Sequence, residues 1–203
     1  MKILHLDTTH PFLEKELEKI GFENHFDFDS LKSDLKLYDY FGIIIRSRIS
    51  IDKDFINKCK NLKFIARIGS GTENIDVDYA KQKGIQIIST PEGNSNAVGE
   101  HALGMLLSIL NNINSSNTEV KKGIWNRESN RGIELKSKTV GLIGYGNTGK
   151  SFAKKLIGFD VNTIYYDIKK IEKDNYANPV SLNYLKDNSD IISLHVSMTE
   201  ESI

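Results

Sequence analysis

Short apolar runs alternate with amphipathic stretches along the first part of the chain. The runs have the length of buried strands and lie at residues 3–6, 26–28, 42–45, 64–68 and 85–88, the second being the weakest. Apolar side chains at helical spacing occupy the segments between them, at residues 11–20, 52–59 and 75–83. Because strands and helices alternate, we expect a parallel sheet covered on both faces. The pattern therefore predicts a small flavodoxin-like α/β domain, which we assign to residues 1–95.

A different order of elements begins at residue 139. An apolar run at residues 140–143 is short enough for a strand buried on both faces, and it leads into the glycine-rich turn GYGNTG. A helix is predicted over residues 150–157 and a second strand over residues 163–166. Strand, glycine-rich turn, helix and strand in this order predict the first part of a doubly wound parallel (Rossmann) sheet, which we assign to residues 96–203.

The turn contains the motif G-x-G-x-x-G, and each glycine has a separate task. Gly144 permits the sharp turn, Gly146 lets a pyrophosphate approach the backbone, and Gly149 lets the next helix press against the strand. Asp167, at the end of the second strand, can accept hydrogen bonds from adenosine ribose hydroxyls. The motif predicts NAD, because a 2′-phosphate would meet the charge of Asp167, although the lysines at residues 169–170 keep NADP open.

Two predicted strands of the first half end in arginine. Arg46 follows the third apolar run, and Arg67 lies just before the glycine-flanked Ser70. Ligands of parallel sheets bind beyond the carboxyl ends of the strands. Ser70 and Gly71 are predicted to lead straight into the helix at residues 75–83, whose free N–H groups favour an anion. One interpretation is a carboxylate or phosphate site with guanidinium help; the other is a tight turn flanked by surface charges.

The middle of the chain predicts one helix that is apolar on nearly every side. It spans residues 98–111, follows the polar segment GNSNAV, and must be buried between domains or between subunits. We expect a homodimer formed through this helix. Residues 111–117 are polar without a clear pattern and are predicted to end the helix. His101 is interpreted as a packed or surface histidine, and Trp125 as an anchor that covers an interface.

Composition narrows the function classes. The 203 residues carry 27 basic and 27 acidic side chains, which argues against nucleic acid or a membrane surface as partner. The N-terminus lacks the apolar core of a signal peptide and no apolar run approaches the length of a bilayer span, so a cytoplasmic protein is expected. Cys59 is the only cysteine, which excludes an internal disulfide and argues against a thiolate metal site. We expect no metal and interpret Cys59 as ordinary packing.

Several motifs together resemble one known family. They are RIGSGTENID at residues 67–76, PEGNSNAVGE at residues 91–100, the glycine-rich turn with Asp167, and SLHVSMTE at residues 193–200. In these motifs the chain is similar to the NAD-dependent D-isomer-specific 2-hydroxyacid dehydrogenases, and most similar to their phosphoglycerate dehydrogenase branch. The resemblance implies a flavodoxin-like substrate domain, a Rossmann NAD domain and an active site in the cleft between them. It implies hydride transfer between NAD and a small anionic D-2-hydroxy or 2-keto acid, with a 3-phosphoglycerate-like substrate favoured.

The resemblance also implies roles for individual residues. Those on the substrate side are Ser70 and Gly71, whose amides would hold the carboxylate, the cleft-facing Arg46 and Arg67, and Asn94, which would border the substrate. Those on the cofactor side are Val98 near the nicotinamide, Gly144, Gly146, Asn147, Thr148 and Gly149 at the pyrophosphate, Asp167 at the ribose, and His195 and Val196 beside the cofactor. His195 is not expected to be the histidine that exchanges the substrate proton.

Two departures from the family pattern are visible. Ser197 stands where the family usually has proline, which would loosen the loop that passes the cofactor. Family members also continue well beyond Ile203, and their further part holds the catalytic arginine, an acidic residue and the proton-exchanging histidine. We therefore expect no catalytic residue in this chain, an incomplete Rossmann domain, and little or no activity from these residues alone.

Alternatives stay open on the residues alone. An NAD(H)-sensing, corepressor-like regulator of the same superfamily would use this architecture without catalysis. A methyltransferase would leave the first domain unexplained, and its glycine-rich loop usually lacks the third glycine at this spacing. The hydroxy acid is open as well: phosphoglycerate would account for extra cations at Arg46, Arg48 and Arg67, whereas glycerate, glyoxylate or lactate-type substrates need fewer.

Overall fold

The computed structural model describes residues 1–28, 36–172 and 174–197. Over these ranges the chain forms two compact units, Met1–Gly93 and Asn94–Ile203, each built on its own parallel sheet. The last three residues of the SLHVSMTE motif lie outside the described ranges. No helix within those ranges is long and apolar enough to cross a membrane.

The first unit is a five-stranded parallel sheet with helices between its strands. Its strands are β1 (Lys2–His5), β2 (Glu23–Phe26), β3 (Tyr40–Ile45), β4 (Phe64–Arg67) and β5 (Gln86–Ser89). Its α-helices are α1 (Pro11–Lys19), α2 (Lys53–Lys58) and α3 (Val77–Gln82), and one turn of 3-10 helix covers Leu37–Asp39. The order across the sheet is β2-β1-β3-β4-β5, which is the flavodoxin order. The predicted α/β fold class is confirmed for this half of the chain.

One face of this sheet carries the core of the first unit. Leu4, Ile43 and Ile65 lie side by side in register on three neighbouring strands, and none of them is exposed. The buried side chains of α2 and α3 pack on the same cluster. The intervening Ile3 and Ile44 point to the other face and are buried as well, so these continuous apolar runs form strands covered on both faces.

The weakest predicted strand is displaced in the structure. The expected run at residues 26–28 is replaced by β2, whose bounds follow from its pairing with β1, from Lys2 opposite Glu23 to His5 opposite Phe26. β2 lies at the edge of the sheet, and the side chain of Phe26 stays about half exposed. Apolar residues near an edge strand are a poor guide to its bounds, because burial does not select them there.

The second unit is a four-stranded parallel sheet with its own helices. Its strands are β6 (Thr139–Ile143), β7 (Asn162–Tyr166), β8 (Asn178–Pro179) and β9 (Ile191–Leu194). Its α-helices are α4 (Ser95–Leu110), α5 (Ile113–Lys121), α6 (Asn147–Leu156) and α7 (Leu182–Asn188), and a turn of 3-10 helix follows α6 at Ile157–Phe159. The order β8-β7-β6-β9 corresponds to positions 3-2-1-4 of a doubly wound sheet, as the glycine-rich motif predicted.

α4 begins earlier than predicted and is not buried on all sides. One side packs against α6, where Gly99 comes so close that an added Cβ would lie 2.7 Å from the hydroxyl oxygen of Ser151. The opposite side carries Met105 and Ile109, whose exposed fractions are 52% and 73%. This side of the helix is therefore exposed in the single chain, and its burial between subunits stays a prediction. Its first turn, from Ser95, was missed because that turn is polar.

The polar segment after α4 ends that helix, as predicted, with Asn111 as its C-cap, but it also forms a second helix that was not predicted. Asn112 adopts a left-handed conformation at φ 51°, which breaks the helix, and α5 starts at the next residue. Hydroxyl groups within α5 donate to backbone carbonyls three or four residues earlier, as Ser116 does to Ile113 and Thr118 does to Asn114. These hydroxyl groups form their hydrogen bonds within the helix, and no residue of α5 is buried. The helix was missed because its sequence has no apolar periodicity.

Candidate functional site

The glycine-rich loop joins β6 to α6 and is held by close backbone contacts. Gly144 has φ 91°, and an added Cβ would lie 2.5 Å from the carbonyl oxygen of His195. A Cβ on Gly149 would overlap the carbonyl oxygen of Gly144, so only glycine lets α6 start this close to the loop. Gly146 differs, since a Cβ there would meet no atom within 4 Å. Open space therefore adjoins the loop at the central glycine.

The open space lies at the first turn of α6. α6 begins at Asn147, with Gly146 as its N-cap, and no side chain caps it. The prediction that the helix starts at residue 150 was late, and Asn147 and Thr148 belong to its first turn. Uncapped N–H groups at a helix N-terminus carry partial positive charge and bind phosphates. The geometry fits the pyrophosphate of a dinucleotide.

Asp167 follows β7 and is held in contact with the glycine-rich loop. Its Oδ2 accepts a hydrogen bond from the Tyr145 backbone N–H at 2.7 Å, and its Oδ1 accepts one from the Lys169 N–H at 2.8 Å. Each carboxylate oxygen keeps a second lone pair for an incoming hydroxyl group. Lys169 therefore contributes its backbone to this arrangement, while its side chain is exposed, as is that of Lys170.

Tyr145, which the sequence analysis did not single out, is the most buried side chain of the loop. Its exposed fraction is 0%, and its ring stacks on that of Tyr165 with centroids 3.8 Å apart and an interplanar angle of 11°. Its hydroxyl donates to Asp174 Oδ1 at 2.9 Å. The available signal was a large aromatic residue between two glycines.

His195 follows β9 and lies beside the glycine-rich loop. Its backbone N–H donates to Ile143 at 2.7 Å, and its ring shares a 3.0 Å hydrogen bond between Nε2 and Ser193 Oγ. Burial lowers the pKa of His195 below its usual value, which favours the neutral ring near neutral pH. The neighbouring Val196 is about half exposed. Both residues therefore adjoin Gly144, as their place after β9 requires.

The loop after β4 in the first unit is built differently. Gly69 has φ 137°, and its carbonyl oxygen and N–H both bond Thr90, at 3.0 and 3.2 Å. Ser70 is exposed, and Ser70 and Gly71 do not lead straight into a helix. α3 begins only at Val77. The predicted helix N-terminus beside Ser70 is therefore wrong, and an anion there would depend on loop N–H groups instead of a helix dipole.

The N-terminus of α3 is also already occupied. The carboxylate of Asp76 caps it by accepting from the Tyr79 N–H at 3.0 Å. Ile75, predicted as helical, instead pairs with Ile51 as an isolated bridge. The early helix prediction failed because Ile75 and Val77 have helical spacing to later residues while Asp76 sets the actual start.

The three arginines of the first unit differ in their engagement. The Arg48 side chain bonds Asp7, with 3.1 Å between Nε and Oδ1, and also donates to the carbonyl of Leu6. The Arg67 guanidinium folds against Gly69 and donates to the Ile68 carbonyl at 3.3 Å, while its Nε has no hydrogen-bond partner among the described residues. The side chain of Arg46 has no such partner within the described ranges either.

Glu73 places a negative charge at the predicted anion site. A Cβ on Gly71 would overlap the Glu73 carboxylate, so the acid lies directly against that glycine. Asn74 ties the same loop to the end of β3 by donating to the carbonyls of Arg46 and Ile49 at 3.0 and 2.6 Å. Glu73 was missed at the level of sequence, although it is visible there as an acid within the motif RIGSGTENID.

The remaining residues weighed in the sequence are Asn94, Val98 and Cys59. Asn94 is exposed and precedes α4 without capping it through its side chain, and Val98 is half-buried in the first turn of α4. Cys59 is buried, donates to the Phe55 carbonyl, and burial raises its pKa to about 12, so it is a packing residue. No cluster of three or more His, Cys, Asp or Glu that could hold a metal ion occurs in the described part of the chain.

Comparisons with known proteins place the chain among 2-hydroxyacid dehydrogenases. Residues 103–203 match the family profile described as "D-isomer specific 2-hydroxyacid dehydrogenase, NAD binding domain". A hydroxypyruvate reductase of Thermotoga maritima is 38% identical over 196 residues, which cover 97% of this chain and 63% of that protein. A D-3-phosphoglycerate dehydrogenase of Methanocaldococcus jannaschii is 35% identical over 208 residues, covering 100% of this chain and 40% of that protein.

A solved structure shows the same fold. The NAD complex of an NAD-dependent formate dehydrogenase from Staphylococcus aureus superposes with a TM-score of 0.84 at 27% identity, covering 100% of this chain and 67% of that one. The chain thus spans between about two fifths and two thirds of the curated relatives named above.

Proposed function

The chain belongs to the D-isomer specific 2-hydroxyacid dehydrogenase family, and on that premise we propose that the whole protein transfers a hydride between NAD and a small D-2-hydroxy or 2-keto acid. The supporting observation is the glycine-rich loop, with open space at Gly146 and Asp167 tied to its backbone. An uncapped helix N-terminus suits a pyrophosphate, and a carboxylate held at the same loop suits the ribose that adjoins it in a dinucleotide.

Each candidate cofactor residue has a stated task in this proposal. The first-turn N–H groups of Asn147 and Thr148 donate to the pyrophosphate, and both oxygens of Asp167 accept from the adenosine ribose. Val98, His195 and Val196 border the rest of the cofactor. The nicotinamide, when bound, supplies the hydride chemistry. The His195 ring shares its Nε2 hydrogen bond with Ser193, and we assign it a packing role beside the cofactor.

The substrate carboxylate is assigned to the loop after β4. The N–H groups of Ser70 and Gly71 would donate to it, and Arg46 and Arg67 would supply positive charge, with Asn94 bordering the substrate. We propose a 3-phosphoglycerate-like acid, because two arginines exceed what one carboxylate needs. Arg48 adds little to this argument, since its guanidinium is already paired with Asp7. Hydroxypyruvate is the competing substrate that the Thermotoga maritima relative suggests.

The proposal is tested first by cofactor binding. Isothermal titration of this chain with NADH, NADPH and S-adenosylmethionine should give heat with NADH, less with NADPH, and none with S-adenosylmethionine. No heat with either nicotinamide dinucleotide would overturn the proposal. A response to S-adenosylmethionine alone would replace it with the methyltransferase reading. The named relatives are a reductase and dehydrogenases, so they give no support to a regulator without catalysis.

Substrate choice is tested by competition. Titrating 3-phosphohydroxypyruvate, the 2-keto form of 3-phosphoglycerate, and hydroxypyruvate into the NADH-saturated protein should give the tighter constant for the phosphorylated acid, with a steeper loss of affinity as salt rises. A higher affinity for hydroxypyruvate would contradict the phosphorylated substrate while leaving the family reaction intact.

We also propose a homodimer in which the exposed side of α4 packs on a second copy. A surface groove there is lined by Ala97, Glu100, His101, Gly104, Met105, Ser108, Ile109 and Asn114. Trp125, after α5, is 83% exposed, which is unusual for the largest apolar side chain of a free monomer. Light scattering should give twice the chain mass, and Ile109→Asp should return it to one. A wild-type mass of one chain would overturn the dimer.

A further inference from the structure

Tyr145 connects the glycine-rich loop to two acids from different parts of the second unit. Its backbone N–H donates to Asp167 Oδ2 at 2.7 Å, and its side-chain hydroxyl donates to Asp174 Oδ1 at 2.9 Å. One residue therefore fixes both the carboxylate that meets the ribose and the segment that follows it. Neither contact belongs to the G-x-G-x-x-G motif itself.

The ring of Tyr145 cannot turn without losing this connection. It is fully buried and stacks on Tyr165 of β7 at 3.8 Å, close to parallel. Burial, followed by the hydrogen bond to Asp174, raises the pKa of Tyr145 far above its ordinary value, so the hydroxyl stays a donor. A buried hydroxyl without its acceptor would be costly, which ties the ring position to Asp174.

Asp174 is in turn held from three directions. Its Oδ1 also accepts from the Tyr176 N–H at 2.9 Å, and its Oδ2 lies 3.8 Å from the ammonium of Lys150 on α6. The Lys150 ammonium also lies 5.6 Å from the centroid of the Tyr145 ring. The acid is thus anchored between α6 and the backbone, and it is a fixed point for the Tyr145 hydroxyl.

We propose that Tyr145 and Asp174 are positioning residues that set the cofactor preference of the second unit, by holding the Tyr145 N–H against Asp167. The inference rests on the proposed NAD function. With its N–H partner in place, the Asp167 carboxylate stays at the loop, where it attracts a ribose 2′-hydroxyl and repels a 2′-phosphate. Without the Asp174 contact the loop peptide is free to tilt, and Asp167 retains only its bond to the Lys169 N–H.

The expected consequence differs for the two cofactors. NADH loses a fixed acceptor and binds less tightly, whereas NADPH loses a fixed repulsive charge and is affected less. A loop that was merely loosened would instead lower both affinities by the same factor, because both cofactors share the pyrophosphate. The ratio of the two dissociation constants therefore separates positioning of Asp167 from general support of the loop.

The test uses Tyr145→Phe, which removes only the hydroxyl, and Asp174→Ala, which removes the carboxylate that accepts from it. NADH and NADPH dissociation constants are measured by calorimetry for both variants and for the double variant. Tyr184→Phe is the matched control, because this tyrosine of α7 is exposed and its hydroxyl has no hydrogen bond with the described residues. Thermal melting confirms that each variant is folded.

We expect Tyr145→Phe to raise the NADH dissociation constant about 5-fold. The ratio of the NADPH to the NADH dissociation constant should fall at least about 3-fold. The double variant should be no weaker than the weaker single variant, since both remove one contact. An unchanged NADH constant in both single variants, or an equal loss for both cofactors, overturns the inference while NADH binding by the wild type upholds the proposed function. Failure of the wild type to bind NADH overturns both.

Discussion

Two loops of this protein follow a parallel strand and contain paired glycines, yet they are prepared for anions in different ways. The loop after β6 runs directly into an uncapped helix, and the carboxylate of the neighbouring Asp167 accepts hydrogen bonds from two backbone N–H groups. The loop after β4 is followed by a helix whose N-terminus Asp76 already caps, and the acid Glu73 lies on its glycine. A glycine-rich turn is therefore not by itself an anion site. Whether it can bind an anion depends on whether an acidic side chain already faces its N–H groups.

The largest expected effect tests whether α6 must start at the glycine-rich loop. Gly149→Ala places a Cβ against the Gly144 carbonyl, and we expect it to lower the free energy of unfolding of the second unit by about 1–3 kcal/mol and to abolish NADH binding. Urea unfolding and calorimetry measure the two effects.

The matched control is Gly146→Ala, whose Cβ meets no protein atom within 4 Å. It should change stability by less than about 1 kcal/mol and weaken NADH binding about tenfold or more, because the Cβ enters the space assigned to the pyrophosphate. Equal stability losses in the two variants would remove the distinction between a packing glycine and a ligand-facing one.

The next effect concerns Asp167, the acid beside the loop after β6. Asp167→Asn keeps an acceptor but removes the charge, so we expect NADH to bind about tenfold more weakly and NADPH to be affected much less. Asp160→Asn, an exposed acid in the turn before β7, is the control and should leave both constants unchanged. An Asp167→Asn variant with wild-type NADH affinity would break the assignment of the ribose site.

A smaller effect distinguishes Arg46 from Arg48 as the arginine that binds an anion in the first unit. Arg46→Ala should weaken binding of a 2-keto acid several-fold, because its guanidinium is uncommitted among the described residues. Arg48→Ala should instead lower stability by about 0.5–1 kcal/mol through loss of the Asp7 contact, with little effect on the anion. Titration calorimetry with hydroxypyruvate and thermal melting give both readouts. The reverse pattern would assign the anion to Arg48.

The smallest effect tests whether the charge of Glu73 weakens anion binding at the loop after β4. Glu73→Gln removes a negative charge beside Gly71, and we expect a 2-keto acid to bind about 2- to 3-fold more tightly, with the gain shrinking at high salt. Asp78→Asn, an exposed acid on α3, is the control. Equal tightening in both variants would mean that the gain comes from the net charge of the protein. The position of Glu73 beside Gly71 would then not distinguish the loop after β4 from the loop after β6.

The sequence predicted the strands and helices of both units better where burial selects the residues than where it does not. The apolar runs of β1, β3, β4 and β6 coincide closely with the observed strands inside their sheets, and so does that of the edge strand β5, because its Ile87 packs against the core. β2 at a sheet edge and the polar helix α5 were misplaced or missed, because neither needs an apolar stripe. The site residues were predicted from motif and resemblance, and their roles stay predictions.

Local pattern by itself determined the alternation of strands and helices, the glycine-rich loop and the acid that follows β7. Only the tertiary structure decided what each charged or polar group contacts. Tyr145 reaches Asp174 across 29 residues, and Arg48 reaches Asp7 across 41. The physical reason is range: backbone propensity and side-chain periodicity act over a few residues, whereas the partner of a buried hydroxyl or a guanidinium is set by which strands become neighbours in the sheet.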